Sequence, residues 1–224
     1  MDLIKIRNLS FSYDEGKTTK CILNKFNLDI PQGKITLLYG KSGLGKTTIL
    51  NLIGGILKPQ SGQIIYENKD ICCFSQKELE CYRAQNVGYV FQLFYLIPQL
   101  TVIDNVVVGM KGRRGYYKEK RKWALEILKK LDVDECANSY PEYLSGGQQQ
   151  RVAIARAVAN EKKLILADEP TGNLDTESAN EVYNILLQLK EEGKTVVLVS
   201  HDEKAKEFSD NIVMLDKEKI RAEW

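Results

Sequence analysis

Apolar residues fall into three patterns along this chain. Continuous aliphatic runs at Lys34–Tyr39, Leu164–Ala167 and Thr195–Ser200 predict strands covered on both faces, as in a parallel sheet. Leu3-Ile4-Lys5-Ile6 and Phe26-Asn27-Leu28-Asp29-Ile30 alternate as half-exposed strands do, which predicts an antiparallel sheet beside the core. Helical spacing appears in Thr176–Glu191, where Val182, Ile185, Leu186 and Leu189 fall at i, i+3, i+4 and i+7. It appears again in Lys118–Leu131, which sets Trp123, Ile127, Leu128 and Leu131 on one stripe. Helices are also expected over Thr47–Leu57 and Gln148–Asn160, and a last strand at Ile212–Leu215. Between about residues 97 and 160 the only strand-like run is Val102–Val108; otherwise the region reads as an inserted helical subdomain. The fold class is therefore α/β with a mainly parallel central sheet. At 224 residues without repeats or Pro-rich linkers, one domain over 1–224 is expected.

Composition narrows the function by exclusion. Lys and Arg number 32 against 30 Asp and Glu, a formal charge of +2. No broad field points to nucleic acid or an anionic membrane surface. The apolar runs are too short to cross a bilayer and the N-terminus is not a signal peptide, so a soluble, cytoplasmic protein is expected. Cysteines at 21, 72, 73, 81 and 136 form no CxxC pair and read as reduced thiols. The only histidine, His201, is remote from all of them in sequence, so cysteine suggests no metal site.

Chemistry enters at Gly40-Lys41-Ser42-Gly43-Leu44-Gly45-Lys46-Thr47, followed by Thr48. Placed between a predicted strand and a predicted helix, this is a G-x-x-x-x-G-K-[ST] phosphate loop. Its glycines let backbone N–H groups turn onto a phosphate, and the helix behind presents its positive end to the same anion. Lys46 would reach the β- and γ-phosphates, and Thr47 would offer its hydroxyl to Mg²⁺. The strand Leu164–Ala167 ends in Asp168-Glu169. Asp168 suits a magnesium site, and Glu169 suits orienting or deprotonating a water. Further on, Leu144-Ser145-Gly146-Gly147-Gln148 opens a predicted helix with a good N-cap and two exposed backbone units. That is a second potential anion site, and an ordinary capped helix would explain Ser145 without explaining the glycines or Gln148.

Over essentially its whole length the chain resembles the ATP-binding cassette ATPases. The resemblance rests on the phosphate loop, the LSGGQ pentapeptide and the acidic strand end. To these it adds Phe91-Gln92 as the Q-loop, Asn173-Leu174-Asp175 as the D-loop, His201 as the switch histidine, and Tyr13 where an aromatic ring meets adenine. Finer likeness in Phe91–Pro98 and Ala167–Asp175 points to the lipoprotein-release, macrolide-efflux and cell-division group. The family implies a P-loop NTPase core with an N-terminal antiparallel β subdomain, ATP and Mg²⁺ as ligands, and Gln92 beside Thr47 and Asp168 at the metal. It also implies His201 at the γ-phosphate, and a second copy of the chain closing head to tail. Ser145, Gly146, Gly147, Gln148 and Asp175 would then meet ATP held by the other copy. An integral membrane permease subunit is the further implied partner, which would hold the ATPase on the cytoplasmic face of the membrane. Export or extraction is the expected direction; coupling to cell division or peptide sensing is the alternative. The turn Asp216-Lys217-Glu218-Lys219 lacks the Asp-Gly usual in the family.

Overall fold

The computed structural model describes residues 1–14, 16 and 19–216; of the turn at 216–219 only Asp216 lies among them. The alternating N-terminal segments form β1 (Asp2–Asp14) and β2 (Thr19–Pro31), paired antiparallel. With β4 (Ser61–Tyr66) and β5 (Lys69–Asp70) they make a four-stranded sheet in the order β2-β1-β4-β5. The continuous aliphatic runs become β3 (Ile35–Tyr39), β7 (Leu164–Asp168) and β8 (Thr195–Ser200). Together with β6 (Val87–Phe91) and β9 (Asn211–Met214) they form a parallel sheet in the order β6-β7-β8-β3-β9.

Both faces of the parallel sheet are covered. Ile35, Leu37, Ile165, Ala167, Val196 and Leu198 point into one apolar cluster. Their alternates Leu38, Leu164, Leu166, Val197 and Val199 point into another, shared with the antiparallel sheet and with α1 (Lys46–Ile53). The first cluster is closed by α3 (Val102–Val108), α4 (Tyr117–Lys130), α5 (Gly146–Val158) and α6 (Thr176–Glu191). Residues 97–160 carry no strand, and their buried side chains share that cluster with the sheet. No described helix is long and apolar enough to cross a membrane.

The strand-like run Val102–Val108 is corrected: it is the helix α3. Thr101 caps it, its hydroxyl accepting from the Asp104 N–H at 3.4 Å, and the wholly buried Asn105 amide donates to the carbonyls of Ile97, Leu100 and Thr101. These local hydrogen bonds, with Val102, Ile103 and Val106 buried on one stripe, override the β-preference of valine, which mostly reports how a side chain packs. Besides the two-residue β5, three elements escape the sequence pattern. The helix α2 (Gln76–Asn86) buries only Tyr82 and owes its start to a capping box between Ser75 and Glu78. In β4 only Ile64 and Tyr66 are buried. In β6 a glycine interrupts the run: a Cβ at Gly88 would lie 2.4 Å from the Ala157 carbonyl oxygen, so α5 approaches the strand only because no side chain is there.

Candidate functional site

Parallel register brings the site together. Phe91 pairs with Asp168, Asp168 with Val199, and Tyr39 with Ser200, so four neighbouring strands end in one row. The next residues along the chain are Gln92, Glu169, His201 and Gly40. Strand C-terminal edges are where open α/β sheets bind ligands, because loops leave there and helix N-termini point there. A cleft of about 500 Å³ opens at this edge, lined by Tyr13, Ser42, Gly43, Gly45, Lys46, Thr47, Thr48, Gln92, Glu169 and His201, with Lys20, Ile22 and Val199.

The phosphate loop wraps one end of the cleft. Gly43 and Gly45 have φ of 81° and 78°, the left-handed region that glycine occupies without strain. Gly45 opens α1 with no side-chain cap, and no acidic residue stands in the first turn. The N–H groups and positive end of this helix are therefore left for a ligand. Lys46 is buried, its ammonium donating to the carbonyls of Gly40 at 2.7 Å and Lys41 at 3.0 Å. Burial holds its pKa below the usual lysine value, while Glu169 and Asp168 pull the other way. Leu44 packs its side chain against the second core cluster. Thr48 lies buried behind the loop and meets the Tyr13 hydroxyl at 3.3 Å.

Facing the loop, the Thr47 hydroxyl donates to Asp168 Oδ1 at 3.1 Å. Burial raises the Asp168 pKa, and the Thr47 bond and Lys46 oppose it. A hydroxyl and a half-buried carboxylate in contact, beside a lysine and an uncapped helix start, fit a divalent cation carrying phosphates. Glu169 has φ of 46°, an uncommon conformation for a residue with a side chain and a recurrent sign of a functional position. Backbone bonds hold it there: its N–H donates to Val199 at 2.9 Å, and its carbonyl accepts from Gly172 at 3.1 Å. Its carboxylate Oε1 lies 2.9 Å from His201 Nδ1. Gln92 lines the cleft with its amide turned to Asn173, Nε2 donating to Oδ1 at 3.2 Å.

The remaining predicted residues are not among those lining the cleft. Ser145 caps α5 and closes a capping box with Gln148: its hydroxyl accepts from the Gln148 N–H at 3.3 Å, and Gln148 Oε1 accepts from the Ser145 N–H at 2.9 Å. A Cβ at Gly147 would lie 2.6 Å from the Ser178 hydroxyl, and one at Gly146 would meet Leu174 at 3.4 Å. Asp175 caps α6, accepting from the Ser178 N–H and hydroxyl, each at 2.9 Å. Those bonds lower its pKa. The expectation that a capped helix leaves Gly147 and Gln148 unexplained is thus corrected, because Ser178 and the capping box account for both within one chain. Lys20 and Ile22 were missed; they come from β2, distant in sequence, and no motif marks them.

The family described as ABC transporter matches residues 23–172. The chain belongs to that family. It is 42% identical over 226 residues to the uncharacterized ABC transporter ATP-binding protein MJ0796 of Methanocaldococcus jannaschii, an alignment covering 99% of this chain and 96% of the relative. Two Mycobacterium tuberculosis relatives, the uncharacterized ABC transporter ATP-binding proteins Rv0073 and MT0079, are 41% identical over 95% of this chain; it spans 64% of their length. The dimeric structure of MJ0796, a bacterial ABC transporter cassette, superimposes with a TM-score of 0.88, covering 95% of this chain and 94% of that one. A second dimeric structure of MJ0796, in a post-hydrolysis state bound to ADP and Pi, superimposes at 0.87 with 40% identity. The fold of the chain is accordingly the ABC ATPase fold, and the cleft lies at its phosphate loop.

Proposed function

We propose that the cassette is the ATP-binding and ATP-hydrolysing subunit of a transporter, that two copies close head to tail around two ATP molecules, and that this motion drives an integral membrane permease in export or extraction. The observation that carries the proposal is a division of labour within the chain. The cleft gathers an uncapped helix start, Lys46, Thr47 and Glu169 with His201, and Asp168 is bonded to Thr47 beside it, whereas Ser145–Gln148 and Asp175 form the capped starts of two other helices. A second copy presenting them to the open side of the cleft would complete the site, in keeping with the relative solved as a dimer with ADP and Pi.

In this reading Tyr13 stacks on adenine, and the backbone from Gly40 to Thr48 with the Lys46 ammonium grips the phosphates. Thr47, Asp168 and Gln92 would hold Mg²⁺, which when bound neutralises charge developing on phosphate oxygens. Glu169 orients a water and accepts its proton, and His201, within hydrogen-bond reach, fixes the carboxylate. Ser145 and Gly147 of the second copy cap the γ-phosphate, so that ATP binds the closed dimer more tightly than the open one.

Glu169→Gln tests this reading. Steady-state ATP hydrolysis is expected to fall at least about 100-fold, with ATP now trapping a dimer seen by sedimentation. Retained turnover by an unchanged monomer would sink the role of Glu169 and the sandwich together. Co-purification with a membrane subunit and vesicle assays test the coupling; a partner that moves no solute favours cell division or peptide sensing.

A further inference from the structure

Tyr183 on α6 is wholly buried and stacks on Phe208 with ring centroids 4.7 Å apart. Its hydroxyl lies 3.1 Å from Thr171 Oγ1 and donates to Asp202 Oδ2 at 3.1 Å. A phenol has one hydrogen; since it goes to the Asp202 carboxylate, the Thr171 hydroxyl is the donor in the other bond. The result is a directed chain from Thr171 through Tyr183 to Asp202, whose second link is charge-assisted. Asp202 is further fixed by accepting the Lys204 N–H at 3.0 Å and by donating its own N–H to Ser200 Oγ at 3.0 Å.

The ends of this chain flank the reacting pair. Thr171 follows Glu169 by two residues, inside the turn closed by the Gly172 N–H on the Glu169 carbonyl. Asp202 follows His201 directly. Glu169 sits in a left-handed conformation, and the His201 side chain is 63% exposed, so His201 is not held by close packing of its own side chain. We infer that Tyr183 is a positioning residue for hydrolysis: its hydroxyl clamps the loop carrying Glu169 to the loop carrying His201 and keeps their side chains within hydrogen-bond reach. Small displacements of positioned groups cost catalysis far more than they cost binding.

This inference rests on the roles proposed for Glu169 and His201, and kinetics on the full chain separate the two. Tyr183→Phe keeps the ring and its stacking. Its kcat for ATP is expected to fall about tenfold with KM within about twofold of wild type. Thr171→Val breaks the clamp from the other end and is expected to do the same, the double variant being no slower than either single one. Phe208→Leu weakens the packing but leaves both hydrogen bonds, so it is expected to lower Tm while kcat at 25 °C stays at the wild-type value. Wild-type kcat in Tyr183→Phe, with Glu169→Gln inactive, overturns the clamp and leaves the site reading standing. An equal loss of kcat in Phe208→Leu also overturns it, because loosened packing then suffices. A wild-type chain that does not hydrolyse ATP overturns both.

Discussion

Gly147 shows how two demands meet at one residue. Its backbone opens α5 between Ser145 and Gln148, and the space a side chain would need is already filled by the Ser178 hydroxyl 2.6 Å from an ideal Cβ. Contacts that short force a neighbour to move, so Gly147→Ala is expected to cost about 2 kcal/mol, lowering Tm by roughly 6 °C. Adding Ser178→Gly is expected to return most of that loss in calorimetry. An unchanged Tm in the single variant would show that the two helices slide apart freely. The phosphate loop, by contrast, was legible residue by residue, because its eight members are contiguous and act through their own backbone. Lys20 and Ile22 were not legible, since nothing in β2 announces which of its side chains will face the loop.

Elements were legible where their apolar period was long and unbroken. Helix α6 and strand β8 match the expected bounds, Thr176–Glu191 and Thr195–Ser200. Helix α2 was not, because it has almost no apolar stripe and is held at its ends. At its C-terminus the buried Lys162 ammonium donates to the carbonyls of Arg83, at 2.9 Å, and Ala84. Cations belong at that end of a helix, yet burial pushes the Lys162 pKa down to about 8 from 10.5. Between those two values the unfolded chain binds the proton and the folded chain has released it, so stability rises with pH across that window. Below pH 8 both states hold the proton, and the burial penalty is present in full. Urea unfolding from pH 7 to 10 is expected to show wild type gaining on Lys162→Met as pH rises. A constant difference between the two would mean that Lys162 titrates as a free lysine.

At the scale of the whole molecule the site is a consequence of parallel strands in register, and in the proposed dimer its other half would come from the start of α5. If two copies share each ATP, damage to opposite halves must complement. Lys46→Ala and Ser145→Arg are each expected to be inactive alone. Mixed in equal amounts, half the dimers pair one of each, and each such dimer keeps one intact site. The mixture is then expected to recover about a quarter of wild-type hydrolysis; no recovery would place both functions on one copy. The motifs, the α/β class and the family can be read along the chain, because the phosphate loop, the acidic strand end and the buried strands are written in contiguous residues with local physics. Packing settled the rest: that Val102–Val108 is a helix, that Gly88 and Gly147 answer to Ala157 and Ser178, and that Tyr183 joins Thr171 to Asp202. Those facts depend on which distant segments come to lie against one another, and neither period nor propensity along the chain carries that information.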